Sequence, residues 1–184
     1  PLESIGKAPP GSSAAAGETI RGTDGSDKLK GSNGNDAIYG NDGADKLSGR
    51  AGNDVLNGGL GADKLRGGAG NDSLYADGKD TVIDGGEGYD YLRKGGEGSL
   101  NVDLNKSGIE YVDLYNSDDS HKIDGNEKSD RVWIRGGSAA DKLTGGANDD
   151  TIYGQQGADK IDGGKGNDYI NGGEGADELR GGSG

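Results

Sequence analysis

From Gly22 the chain repeats itself every nine residues, and this repeat limits its fold more than any other feature. The blocks run GTDGSDKLK, GSNGNDAIY, GNDGADKLS, GRAGNDVLN, GGLGADKLR and GGAGNDSLY. A worn block begins at Ala76, with Asp80 one place early, and GGEGYDYLR from Gly85 restores the pattern. A second run opens at Gly136 with GGSAADKLT, GGANDDTIY, GQQGADKID, GGKGNDYIN and GGEGADELR; the tail from Gly181 begins another block and lacks its aspartate. Blocks starting at 22, 40, 58, 136, 154 and 172 read Ser/Ala-Asp-Lys/Glu-Leu/Ile after their turn. Those at 31, 49, 67 and 163 read Asn-Asp-x-Leu/Ile, with 145 a close variant. The true period is therefore eighteen, as a flattened coil with two short strands and two turns would produce.

Each block divides into a turn of six residues and a strand of three. The eighth residue points inward: Leu29, Ile38, Leu47, Leu56, Leu65 and Leu74, then Leu143, Ile152, Ile161, Ile170 and Leu179. Two such side chains per coil make a thin core, and the chain has 41 glycines and only 28% apolar residues. Glycine loses the most backbone freedom on ordering, so this chain needs stabilisation beyond its core. There is no Cys, which excludes disulfides and thiolate metal sites. The formal net charge of −13 argues against nucleic acid as a partner and fits a chain that binds cations. There is no apolar run long enough to span a membrane and no signal peptide. Pro1 and Gly184 read as cut ends of something longer.

The sixth residue of each turn supplies a carboxylate: Asp27, Asp36, Asp45, Asp54, Asp63, Asp72 and Asp90, then Asp141, Asp150, Asp159, Asp168 and Asp177, with Asp80 a displaced equivalent. Glycines at the first, second and fourth places let carbonyl oxygens converge. In the first run these are Gly22, Gly31, Gly34, Gly40, Gly43, Gly49, Gly52, Gly58, Gly59, Gly61, Gly67, Gly68, Gly70, Gly85, Gly86 and Gly88. In the second they are Gly136, Gly137, Gly145, Gly146, Gly154, Gly157, Gly163, Gly164, Gly166, Gly172, Gly173 and Gly175. Ca²⁺ is a hard cation that takes 6–8 carboxylate and carbonyl oxygens, which suits this donor set; Mg²⁺ demands a tight octahedron and keeps its waters. With one His and no Cys, Zn and Cu are disfavoured.

These blocks follow the G-G-x-G-x-D-x-U-x pattern, and the chain resembles the RTX (repeats-in-toxin) family over most of its length after residue 21. The resemblance implies an all-β, right-handed parallel β-roll with Ca²⁺ stacked in the turns. It implies that each ion sits between turns one coil apart, sharing carbonyls and bridging their aspartates. Pairing at eighteen residues then gives Asp27–Asp45, Asp36–Asp54, Asp45–Asp63, Asp54–Asp72, Asp72–Asp90, Asp141–Asp159, Asp150–Asp168 and Asp159–Asp177, about eight ions, with Asp80 helping to form a ninth. It further implies a bacterial, secreted module that leaves the cell unfolded by type I secretion, folds outside in Ca²⁺, and is covalently part of a larger protein.

The expected organisation is a linker over 1–17, rolls over 18–93 and 136–184, and degenerate, calcium-poor coils over 94–135. In that middle, nine-residue counting places Leu114, Ile123 and Val132 at the inward position, with four extra residues in 94–106 and two at Ile134 and Arg135. The alternative is a β-hairpin insertion from 100–104 and 109–115. His121 falls where a turn aspartate would be, and Trp133 reads as a packing residue. No nucleophile is paired with a base, so no enzymatic site is expected. The outward positions carry Lys28, Lys30, Lys46, Lys64, Arg66, Lys142, Lys160 and Arg180 on one face, and Tyr39, Tyr75, Tyr91, Tyr153 and Tyr169 with Asn57 and Asn171 on the other. One reading is a solubilising surface of good strand formers. Another is a flat platform for an acidic extracellular polysaccharide, and a third is a structural repeat of an adhesin or surface layer.

Overall fold

The computed structural model describes residues 17–126 and 128–184; the expected linker, residues 1–17, lies outside them save for Gly17. Successive strands alternate between two sides of a β-solenoid of about nine turns. One side is a continuous nine-stranded parallel sheet, and the other is divided into sheets of four and five strands. The alternation follows from the eighteen-residue period: Ile20 pairs with Ile38, Ile38 with Leu56, and Leu29 with Leu47. Each three-residue strand must point its middle residue one way and its flanks the other. Ile38, Leu47, Leu56, Leu65 and Leu74 are accordingly buried in the core. Among the inward positions Leu29 and Ile170 are only partly buried, and Leu179 is 51% exposed on a strand paired only with Lys160–Asp162.

Several strands run six residues, as in Ala37–Asp42 and Val55–Leu60, because the first half of each turn stays extended and keeps pairing. Glycine serves a steric purpose where the turn then folds back at Gly61. Gly61 has φ 142°, and a Cβ there would lie 1.5 Å from the Gly43 carbonyl oxygen one coil away.

The middle coils depart from nine-residue counting. Val112 pairs with Leu92 and Ile134, and Val102 with Ile123, so the strand centres are Val102, Val112, Ile123 and Ile134. Ile123 stands where it was expected. Leu114 and Val132 are buried but lie outside the strands, and Ile134 and Arg135 belong to the strand Trp133–Arg135 rather than to an excess. The reason is length: equivalent positions here are separated by 20 to 22 residues. Asn101–Asp103 and Tyr111–Asp113 pair in parallel in different sheets, so they form no hairpin. One helical turn, Leu104–Ser107, follows the first of them, capped by the Asp103 side chain and by left-handed Gly108.

Candidate metal centres

The turn aspartates form a ladder along each edge of the roll. From Asp36 onward, one carboxylate oxygen of each accepts the backbone N–H of the equivalent residue one coil earlier. Asp54 Oδ1 accepts from Asp36 at 2.7 Å, Asp72 from Asp54 at 2.8 Å and Asp90 from Asp72 at 2.8 Å. The other edge repeats this through Asp27, Asp45 and Asp63, and later through Asp141, Asp159 and Asp177. These bonds fix the carboxylates, because the strand pairing beneath them repeats the same backbone geometry.

The second oxygen is different. Oδ2 of Asp45, Asp54, Asp63, Asp72, Asp90, Asp159 and Asp168 is buried without any hydrogen-bond partner. A buried carboxylate oxygen left so is costly. It faces the first glycine of its own turn. A Cβ on Gly40, Gly49, Gly67, Gly154 or Gly163 would lie within 2.4 Å of that unpartnered oxygen, and one on Gly22, Gly31, Gly136 or Gly145 within 2.8 Å of an Oδ2 that accepts a turn N–H, from Thr23, Ser32, Gly137 or Gly146. The same Cβ would lie within 2.7 Å of the first-place glycine carbonyl one coil on: 2.3 Å from Gly58 at Gly40, and 2.5 Å from Gly85 at Gly67. The missing side chains thus leave a cradle between a carboxylate and a carbonyl of adjacent coils. Eight of these nine turns are the first members of the eight aspartate pairs. The ninth, at Gly163 and Asp168, has the Gly181 carbonyl one coil on.

The donor set is all oxygen, and among the described residues no three acidic or histidine groups converge, so carbonyls must complete any coordination. Burial pushes the carboxyls up: Asp72 to about 7, Asp90 and Asp141 to about 6, with Asp54, Asp63, Asp150 and Asp159 also raised. Ladder hydrogen bonds oppose this rise, and neighbouring carboxylates add to it. The cradles therefore hold excess negative charge out of water, a setting that fits a divalent cation.

Asp80 stands in a different setting. It carries its ladder bond to Asp63 N–H at 3.0 Å, and its other oxygen accepts Asp77 N–H at 3.0 Å, much as those of Asp27, Asp36, Asp141 and Asp150 accept a turn N–H. The first place of that turn is Ala76, which is buried, so a methyl group stands where the cradle would open. Its carboxyl is pushed up to about 7, chiefly by burial.

In the middle the ladder continues through other residues. Glu110 Oε2 accepts Asp90 N–H at 2.9 Å. His121 gives its N–H to Asp141 Oδ1 at 2.7 Å, its Nδ1 accepts Leu100 N–H at 3.0 Å, and Nε2 meets Ser117 Oγ at 2.8 Å. Burial holds the imidazole below its ordinary pKa, so it is a neutral structural bond-maker. Glu110 escaped nine-residue counting, although Glu-Tyr-Val-Asp matches the carboxylate–x–apolar–x signature.

The outer faces differ. Lys28, Lys46 and Lys64 lie in register, and among the described residues none of them has an ion pair. In the second run Lys160 pairs with Glu178 at 3.3 Å and Arg180 with Asp162 at 3.7 Å. Opposite them a row of rings runs through Tyr89, Tyr91, Tyr111, Trp133, Tyr153 and Tyr169. Tyr111 and Trp133 stack at 4.2 Å, 5° from parallel, so these rings spend their faces on each other.

A family model described as the RTX calcium-binding nonapeptide repeat, in four copies, matches residues 15–47, 39–74, 48–81, 57–92, 124–161 and 153–184, well over half the chain. No curated protein matches it. No described helix is long and apolar enough to cross a membrane.

Proposed function

Because this chain belongs to the RTX calcium-binding nonapeptide-repeat family, we propose that its calcium-binding β-roll folds on Ca²⁺ outside the cell and serves as stabiliser and spacer for a larger secreted protein. The observation that carries this reading is the row of buried, unpartnered Oδ2 atoms, each opening on a cradle that a glycine keeps clear. Bound Ca²⁺ supplies the positive charge and coordination that these oxygens lack. The chain supplies the carboxylates of Asp27, Asp36, Asp45, Asp54, Asp63, Asp72, Asp90, Asp141, Asp150, Asp159, Asp168 and Asp177 and the first-place carbonyls, which gives about eight ions. Eight divalent ions more than offset a net charge of −13. The module is non-catalytic, since each turn carboxylate is committed to its ladder and cradle. A cytosol low in Ca²⁺ would leave such a chain unfolded, which supports export by type I secretion from a bacterium. The decisive test is circular dichroism in EGTA and in millimolar Ca²⁺, with calorimetry to count ions. A large gain of β signal and about eight ions are expected, and equal β content in both would refute the reading.

A second reading is a carbohydrate-binding accessory module, and one observation favours it: the unpaired, in-register lysines Lys28, Lys46 and Lys64 on a protein that is otherwise acidic. Like charges set directly opposite destabilise a sheet, so an acidic polysaccharide laid along them would relieve a cost. The tyrosine face is the poorer platform, because Tyr111 and Trp133 at its centre stack on each other. Retention of the Lys28→Gln, Lys46→Gln, Lys64→Gln triple variant on an immobilised polyuronate should fall to background, and unchanged retention would reject the reading.

A further inference from the structure

The middle coils carry buried lysine ammonium groups in their turns. Glu110 holds the place of a turn aspartate, with one oxygen on the Asp90 N–H. Its other oxygen corresponds to the Oδ2 that lies unpartnered elsewhere, and here it receives Lys128 Nζ at 2.6 Å. Both side chains are buried, 9% and 7% exposed, and Asp130 Oδ2 lies 3.4 Å from the same ammonium. The backbone of Lys128 stands where Gly146 stands one coil on: Ala147 N–H bonds the Lys128 carbonyl as Lys165 N–H bonds that of Gly146. A turn position occupied by glycine in the next coil here carries a cation.

The opposite edge does the same by a different route. Lys94 pairs with Ala76 and occupies the first place of its turn, the place whose Cβ elsewhere points into the cradle. Its side chain is 8% exposed, and its ammonium bonds the Gly96 carbonyl and lies 3.5 Å from Asp119. Further along, Leu114 holds a first-glycine place, and Leu100 and Val132 hold aspartate places, all three buried. Between Leu100 and Ile134 the core also takes in Val102, Leu104, Ile109, Val112 and Ile123. Arg135 clamps Asp113 through two bonds of 2.8 and 2.7 Å.

We propose that Lys128 and Lys94 are built-in substitutes for Ca²⁺, and that the coils from Lys94 to Arg135 form a calcium-independent seed on which the two flanking runs order when calcium arrives. The proposal rests on the calcium-dependent reading of the flanks, and one experiment separates the two. Hydrogen exchange is followed in chelator and in millimolar Ca²⁺ on the full chain, for wild type, Lys128→Met and Lys128→Arg. In chelator the amides of Leu114, Lys122 and Trp133, bonded to Arg135, Leu100 and Glu110 carbonyls, should exchange about 100-fold or more slowly than those of Lys46, Val55 and Lys160, bonded to Asp27, Asp36 and Asp141 carbonyls. Lys128→Met should lose that protection and Lys128→Arg should keep it. Wild-type middle amides exchanging as fast as the flanks would overturn the proposal, as would protection that survives Lys128→Met. Flanks that stay protected in chelator would instead overturn the calcium-dependent reading. The wild-type comparison decides the matter even should Lys128→Met fail to fold.

Discussion

Adding one methyl group at Gly40 tests the cradle directly. Gly40 is not in the left-handed region, so alanine costs it nothing in backbone conformation. Space is the whole issue. The new Cβ would sit 2.3 Å from Asp45 Oδ2 and 2.3 Å from the Gly58 carbonyl oxygen. Ordinary carbon–oxygen contact needs about 3.2 Å, so each oxygen must retreat by about 0.9 Å, and a carbonyl held in a strand ladder resists that. Overpacking of this kind costs about 1–3 kcal/mol before any metal is considered. In a domain of this size that lowers Tm by about 2–12 °C. The displaced oxygens are also two of the donors argued to hold an ion, so calorimetry should count one Ca²⁺ fewer per chain. Gly25→Ala is the control, because its Cβ would meet only Thr23 Oγ1, at 3.7 Å. The reasoning fails if Gly40→Ala binds as many ions as Gly25→Ala and melts with it in saturating Ca²⁺.

Two further outcomes follow from the same geometry. Asp72 and Asp80 are raised to about 7, and Asp90 and Asp141 to about 6, so the metal-free roll holds protons more tightly than the unfolded chain does. That contribution is complete below pH about 4 and is lost as pH rises through 6–7. Circular dichroism in chelator should therefore show more β structure at pH 4.5 than at pH 7.5, while apparent Ca²⁺ affinity falls on acidification as protons compete; a β signal rising with pH would contradict this. Trp133→Ala removes the stacked partner of Tyr111 and should cost about 1–3 kcal/mol in calcium-loaded melts. Tyr169→Ala, at a ring 55% exposed, should cost less, and equal losses would argue against a packed row.

The sequence alone determined the regular parts of this protein. Where coils are eighteen residues long, every element is local: a turn of six, a strand of three, and a neighbour always one period away. Counting therefore places Asp45 over Asp63 and Leu47 over Leu65 without knowledge of the whole chain. It also pairs the aspartates whose cradles the missing glycine side chains leave open. Counting fails once the period changes. Leu114 and Val132 look like strand residues because they are apolar and correctly spaced, yet they fill the places of a glycine and an aspartate, while Val112 and Ile134 take the strand centres. Only backbone pairing across coils of 20 to 22 residues decides between them. The meeting of Lys128 with Glu110 depends likewise on two turns lying one above the other, with water excluded from both. The sequence shows where ligands repeat; the tertiary structure shows where the chain supplies its own cation.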